Sequence, residues 1–144
     1  WNGTCWNEVN DLNTARNTNG IGATQTAALA TGCPVLISSG IITESWNGTS
    51  WTEVNDLNAG GSLKGTAGIQ TLGLIFGGLT PSPTAATESW NGTCWSEVND
   101  LNSINARGGG DGSSSAAISM GGTVGTQTEE WNAPATVTRT MTTS

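Results

Sequence analysis

The 144-residue chain contains no histidine and no tyrosine, one phenylalanine, and four basic residues against eleven acidic ones. Each shortage excludes a class of chemistry. Without histidine the commonest general base and metal ligand is missing. No serine, threonine or cysteine stands beside a base that would activate it as a nucleophile. The expectation is a protein that is not an enzyme and needs no cofactor. A net charge of −7 and a sequence pI near 4.1 leave no basic stripe to neutralise phosphates, so no nucleic-acid partner is expected. No apolar run approaches the ~20 residues of a spanning helix, so no membrane insertion is expected either. The chain opens at Trp1 with neither an initiator methionine nor a signal peptide, and reads as a processed or excised piece. Cys5, Cys33 and Cys94 are odd in number and have no metal-like spacing. Ser50 stands at the position equivalent to Cys5 and Cys94, so that position reads as a small, half-buried site.

What the chain does have is glycine, 21 residues, and tryptophan, seven residues. So much Gly, Ser, Thr and Asn would by itself suggest disorder, but the tryptophans are regularly placed. WNGTCWNEVNDLN from Trp1 returns as TESWNGTSWTEVNDLN from Thr43 and as TESWNGTCWSEVNDLN from Thr87. Trp1, Trp46 and Trp90 are 45 and 44 residues apart, and TEEWN places Trp131 another 41 on. LATGC (29–33), LIFGG (74–78) and ISMGG (118–122) keep the same 45 and 44 spacing. Two landmarks in phase mean a structural unit of about 44 residues.

Inside a unit the signals are those of strands, with no credible helix. In the middle unit GTAGIQT and LGLIFGG are short apolar runs, followed by the Pro-containing loop LTPSPTAA, then TESW and SWTEVNDL. Asn47-Gly48, like Asn91-Gly92, is expected to form a two-residue type I′ turn. That register sets Trp46 opposite Thr49 and Glu44 opposite Trp51, with both indoles on one face. Trp1, Trp6, Trp46, Trp51, Trp90, Trp95 and Trp131 are then core, because one small sheet cannot bury such apolar plates alone and must stack on the next copy. Small residues at Ala27, Ala28, Gly68, Gly73, Ala116 and Ala117 suit crowded inner positions.

Four-stranded units at this period point to an all-β fold of the β-propeller type, a β-solenoid being the rival with usually shorter coils. The chain reads as a single repeat domain, 1–144, with blades at about 20–58, 65–102 and 108–131. The strand at 5–12 would complete a blade in the same or a partner chain. Three blades are too few to close a ring, since propellers have about 4 to 8. The expected partner is therefore a second copy, in a six-blade dimer or an open fibre.

The order of an apolar strand ending in a double glycine, a strand ending in an aromatic residue, a tight turn and a further Trp resembles the kelch repeat. The residues that match are Gly77-Gly78 and Gly121-Gly122, then Trp46, Trp90 and Trp131, then Trp6, Trp51 and Trp95. The chain departs from that pattern in using Trp where kelch repeats often have Tyr, and in Gly32-Cys33 for the first double glycine. The wording TESWNGTSWTEVNDLN is also similar to repeats in tail and fibre-type proteins of marine bacteriophages. This resemblance implies an extracellular or virion-surface module with a role in adhesion, host-surface glycans being the ligand class.

Most carboxylates recur with the repeat, as Glu8, Glu53 and Glu97, Asp11, Asp56 and Asp100, and Glu44, Glu88 and Glu129. The reading adopted for NDLN is turn and strand-end hydrogen bonding through Asx-turns. The sharper alternative is a calcium site at Glu53 and Asp56, and at Glu97 and Asp100. Arg16, Lys64 and Arg107 fall in the loop after NDLN and are expected in inter-blade ion pairs. The NGT triplets at Asn2, Asn47 and Asn91 match the N-glycosylation sequon but read as hairpin turns. The loops between second and third strands differ in every unit and are the place for recognition. They contribute Pro34, Ser38 and Ser39, then Thr80, Ser82 and Thr84, then Thr123 and Thr126. A purely structural, self-assembling filament subunit without a small ligand is the alternative.

Overall fold

The computed structural model describes residues 3–34, 41–123 and 125–134, apart from the side chains of residues 23, 33 and 34. Among them every regular element is a β-strand. β1 (Arg16–Thr24), β2 (Ala27–Pro34), β3 (Thr43–Trp46) and β4 (Trp51–Val54) form an antiparallel meander in that order. A second sheet follows, with β5 (Gly65–Ile69), β6 (Leu72–Phe76) and, after a two-stranded hairpin of β7 (Leu79–Thr80) and β8 (Ser82–Pro83), β9 (Thr87–Trp90) and β10 (Trp95–Glu97). β11 (Gly109–Gly112), β12 (Ala116–Met120) and β13 (Thr128–Asn132) make the third sheet. Three units of one antiparallel plan are thus present, and the first begins at Arg16, earlier than residue 20. The loop LTPSPTAA, expected to be irregular, contains the β7–β8 hairpin.

Two expectations are corrected. Residues 5–12 complete no blade of their own chain, because a strand needs a ladder partner and none of the described residues pairs with this segment; the other half of that expectation, completion of a partner chain's blade, is not contradicted. The hairpins at Asn47-Gly48 and Asn91-Gly92 are not two-residue turns. Trp46 pairs directly with Trp51 and Trp90 with Trp95, leaving loops of four residues, NGTS and NGTC. A type I′ turn would need positive φ at both Asn and Gly, but only the glycines adopt it, at 93° for Gly48 and 94° for Gly92. The asparagines act through their side chains. Asn47 Oδ1 accepts the N–H groups of Thr49 and Ser50, both at 2.9 Å, and Asn91 Oδ1 does the same for Thr93 and Cys94. Such local side-chain bonds stabilise a wider loop and displace the indoles from diagonal to directly opposed positions.

The sheets stack in series. Strand β5 touches β1 on one side and β11 on the other, and Thr66 Oγ1 donates to Gly20 O at 2.8 Å across the first of these contacts. One core cluster, with Ile21, Leu29, Leu57, Ile75, Trp90 and Trp95, lies between the first two sheets. Another, with Ala67, Leu74, Phe76 and Ala117 and the partly buried Val98, Leu101 and Trp131, lies between the second and third. The small residue at Gly73 has a packing reason, since a Cβ there would stand 3.1 Å from Ile21 Cδ1 of the sheet before.

The double glycines end the second strands in the left-handed region, with φ of 65° and 107° at Gly77-Gly78 and 64° and 103° at Gly121-Gly122. Residues with a Cβ rarely hold that conformation twice in succession. Gly78 N–H donates to Asn105 O at 2.6 Å, which ties the end of β6 to the linker into the third sheet.

Candidate functional site

The phrase NDLN, which follows every fourth-strand segment, builds the joints between sheets. Each letter has its own partner. Asn55 Nδ2 donates to Thr93 O at 2.8 Å and Asn10 Nδ2 to Thr49 O at 2.7 Å, each reaching the hairpin loop of the next sheet. Asp56 and Asp100 accept the N–H groups of Thr43 and Thr87, both at 3.0 Å, and so hold the start of their own sheet's third strand. Leu57 enters the core between the first two sheets and Leu101 packs against the core between the next two. The final Asn clasps a glutamate of the next sheet: Asn58 N and Nδ2 both donate to Glu88 Oε2 at 2.8 Å, while Ala59 N donates to Oε1. Asn13 and Thr14 treat Glu44 in the same way, and Asn102 and Ser103 treat Glu129 likewise.

The local Asx-turn reading of this phrase is therefore corrected, since its asparagines bridge residues 27 to 39 positions away. Bonds of this kind satisfy a buried carboxylate fully, which is the condition for keeping one in a core. Glu44 and Glu88 are only 0% and 2% exposed.

The side chains of Arg16 and Lys64 make their contacts within their own sheets. Among the described residues the one ion pair joins Arg16 to Glu44, at the start of β1 and on β3 of the same sheet. Lys64 is buried, its Nζ donates to Gly77 O at 3.0 Å, and its backbone N–H donates to Asn19 Oδ1 at 2.9 Å. Burial lowers the Lys64 pKa from its usual 10.5, and the nearby Glu88 charge partly opposes that shift. Arg107 is exposed, with a positive φ of 63°. The expectation of inter-blade ion pairs is not met among the described residues, because Arg16 reaches a glutamate of its own sheet and Lys64 a carbonyl of its own sheet.

The tryptophans separate into seated and unseated ones. Trp46, Trp90 and Trp95 are buried, Trp51 and Trp131 are half-buried, and Trp6 is 84% exposed; Trp1 lies outside the described residues. Third-strand indoles all donate to a carbonyl in the first turn of their own sheet, from Trp46 to Gln25 O, Trp90 to Gln70 O and Trp131 to Ser114 O. Trp95 instead inserts toward the sheet before it and donates Nε1–H to Thr43 Oγ1 at 3.2 Å. The expectation of a buried Trp6 is corrected in this chain, because a fourth-strand indole is covered only where a preceding sheet supplies that wall. Gln70 was missed by the sequence reading: its amide donates to Ser45 Oγ at 2.9 Å and also to Trp46 O, a second bridge between sheets. Gln25 at the matching place in the first unit was the available signal.

The Cys or Ser position is explained by its neighbour. Asn91 Nδ2 donates to Cys94 Sγ at 3.4 Å and Asn47 Nδ2 to Ser50 Oγ at 3.3 Å, so either acceptor serves. Neither Cys5 nor Cys94 is joined in a disulfide among the described residues.

Of the loop residues singled out as recognition candidates, Ser38 and Ser39, and the side chain of Pro34, lie outside the described residues. Thr80 and Ser82 pair across the β7–β8 hairpin. Thr84 Oγ1 accepts Ala86 N–H at 3.2 Å, and Thr123 Oγ1 accepts Ala106 N–H at 3.0 Å, so both shape the loops that carry them. Thr126 is exposed. The second unit's loop meets the linkers into β5 and β11 through the Ser62–Leu79 and Thr84–Asn105 bridges, and the third unit's loop meets the latter linker through Thr123 N–H, which donates to Ala106 O at 2.9 Å. The calcium alternative finds no ligand set among the described residues, where no three acidic or other metal-binding side chains gather. Asp56 and Asp100 are occupied by backbone N–H groups, and Glu53 and Glu97 point to solvent from exposed strand positions.

What remains chemically is a rigid set of joints and a set of dissimilar hydroxyl-rich loops. No protein-family model matches the chain, and comparison with curated proteins finds none that is significantly similar.

Proposed function

We propose that the chain is a non-enzymatic binding module of kelch-like propeller blades, carried on an extracellular or virion appendage and completed into a ring or fibre by further copies. Recognition falls to the loops between second and third strands, and surface glycans are the ligand class. The observation that carries this reading is a division of labour. Residues repeated in every unit, Glu44, Glu88 and Glu129 with their clasping asparagines, are used in holding sheets together. The described non-repeated loop residues, of the second and third units, gather at the linker into β11, and variable loops on a scaffold are where recognition is ordinarily placed. Sugar hydroxyls would find partners in Thr80, Ser82 and Thr126.

A glycan array probed with the purified chain, and again with Thr80→Ala/Ser82→Ala, tests it. Binding that falls at least tenfold in the variant supports the proposal, and absence of any glycan signal removes it. The second reading, a structural filament subunit without a small ligand, is favoured by the exposed Trp6 and by β13, whose outer edge has no strand beside it among the described residues.

A further inference from the structure

Trp95 has a seat. It belongs to the cluster that contains Leu29, Leu57, Ile75 and Trp90, and its Nε1–H points at Thr43 Oγ1. One repeat later the equivalents are Leu74, Leu101, Ser119, Trp131 and Thr87: Leu74, Leu101 and Thr87 come from the second sheet, Ser119 and Trp131 from the third. All five line a single cleft of about 50 Å³ that is partly open to solvent. Its lining thus matches, residue for residue, the surroundings of Trp95 one repeat earlier, with Thr87 in the place of the acceptor Thr43. Residues 132–144 contain no tryptophan.

We propose that Trp6 of a second copy occupies this cleft. CWNEVNDLN from Cys5 differs from CWSEVNDLN from Cys94 only at Asn7, so the segment has the wording that fills the equivalent place in the second sheet. Trp6 is 84% exposed and Val9 65% exposed in the single chain. Its own chain does not bring Trp6 to the cleft. Asn10 and Asn13 tether the segment to Thr49, Glu44 and Trp51 of the first sheet, whereas the cleft lies between the second and third. The tether is compatible with the docked state, because residues 95–97 pair with β9 while Asn102 clasps the following sheet. In the docked state residues 6–9 run beside the partner's β13 in the register of the second sheet. Trp6 then stands opposite Trp131, and Asn7 opposite Glu130. The first sheet's half-buried Trp51 comes to lie against the same neighbouring copy, at Thr128, the counterpart of Thr43 and Thr87.

The contact is head-to-tail, and it closes at two copies or extends into longer polymers. It rests on the propeller reading above but needs no glycan. Sedimentation velocity of the purified chain is expected to show dimers or larger species, and Trp6→Ala is expected to be monomeric. Because Trp6 is exposed, that variant should fold, which its far-ultraviolet circular dichroism checks. A peptide of sequence GTCWNEVNDLNT, residues 3–14, should bind Trp6→Ala chains with a blue shift of its indole fluorescence. Its affinity should fall about fivefold when Thr87→Val removes the hydroxyl acceptor. A chain that stays monomeric at the highest soluble concentration, or oligomers unchanged by Trp6→Ala, would overturn the proposal, as would a peptide that fails to bind. Glycan binding by a monomer would leave the recognition reading standing without this one; assembly without glycan binding would do the reverse.

Discussion

Asn58 lays both its backbone N–H and its side-chain amide on one oxygen of Glu88, each at 2.8 Å, across 30 residues of sequence. The carboxylate is 2% exposed, so the bonds replace water that the group has lost. Removing the charge while keeping the shape isolates this clasp. Glu88→Gln should lower stability by about 2–3 kcal/mol, the range for hydrogen bonds to a buried charged group. Glu129→Gln, on a half-buried carboxylate, should cost only about 1 kcal/mol. Urea titrations of the two variants should differ in midpoint in that order; equal losses would contradict the role assigned to burial.

The two fourth-strand tryptophans offer the same kind of comparison. Trp95 is 5% exposed and donates to Thr43 of the sheet before, whereas Trp51 is half-buried. Trp95→Ala should cost about 3–5 kcal/mol, against about 1–2 kcal/mol for Trp51→Ala in the monomeric state. Chemical denaturation of Trp6→Ala chains carrying either change would measure the difference without a contribution from assembly.

Hairpin loops depend on glycine at the left-handed position. Gly48 has φ of 93°, which a side chain makes unfavourable, so Gly48→Ala should destabilise by about 1–2 kcal/mol. Asn47→Ala should cost about 1 kcal/mol by removing the acceptor for two backbone N–H groups. A type I′ turn would instead respond strongly to loss of positive φ at position 47. Melting temperatures of Asn47→Gly and Asn47→Ala separate the cases, because the four-residue loop should be damaged by both.

Lys64 is the single lysine, and tyrosine is absent, so besides the three cysteine thiols and the terminal amine few groups titrate with it at alkaline pH. Burial places its folded-state pKa below the unfolded value of 10.5. Between those two values the unfolded chain holds more protons than the folded one, and stability therefore rises with pH up to about 10.5. Below the folded value the cost of the buried charge is present in full. Lys64→Met should flatten that rise in melting temperature on the alkaline side below pH 10.5; an unchanged slope would assign the rise to another group.

Much of the fold is legible in the sequence because a repeat declares its period and the strands declare themselves by short apolar runs between turn residues. TESW and LIFGG lie on strands, or end them, as those signals require. The hairpin register was less legible. NG points equally to a two-residue turn and to an Asn-capped loop of four, and the choice was decided by where Asn47 Oδ1 finds its donors. The candidate site was legible only as a contrast between repeated and variable loops. Nothing local distinguishes the Asp of NDLN, which serves its own sheet, from the Asn beside it, which serves the next.

By itself the sequence determined an all-β chain, three repeated antiparallel units, and the need for each unit to cover its indoles with a neighbour, since period and hydropathy are properties of the nearby chain. Tertiary structure alone decided which indoles are covered. Trp6, Trp51 and Trp95 stand in nearly the same words, yet they run from exposed to half-buried to buried. Burial depends on the wall supplied by the adjoining sheet, and no local sequence encodes whether that wall is there.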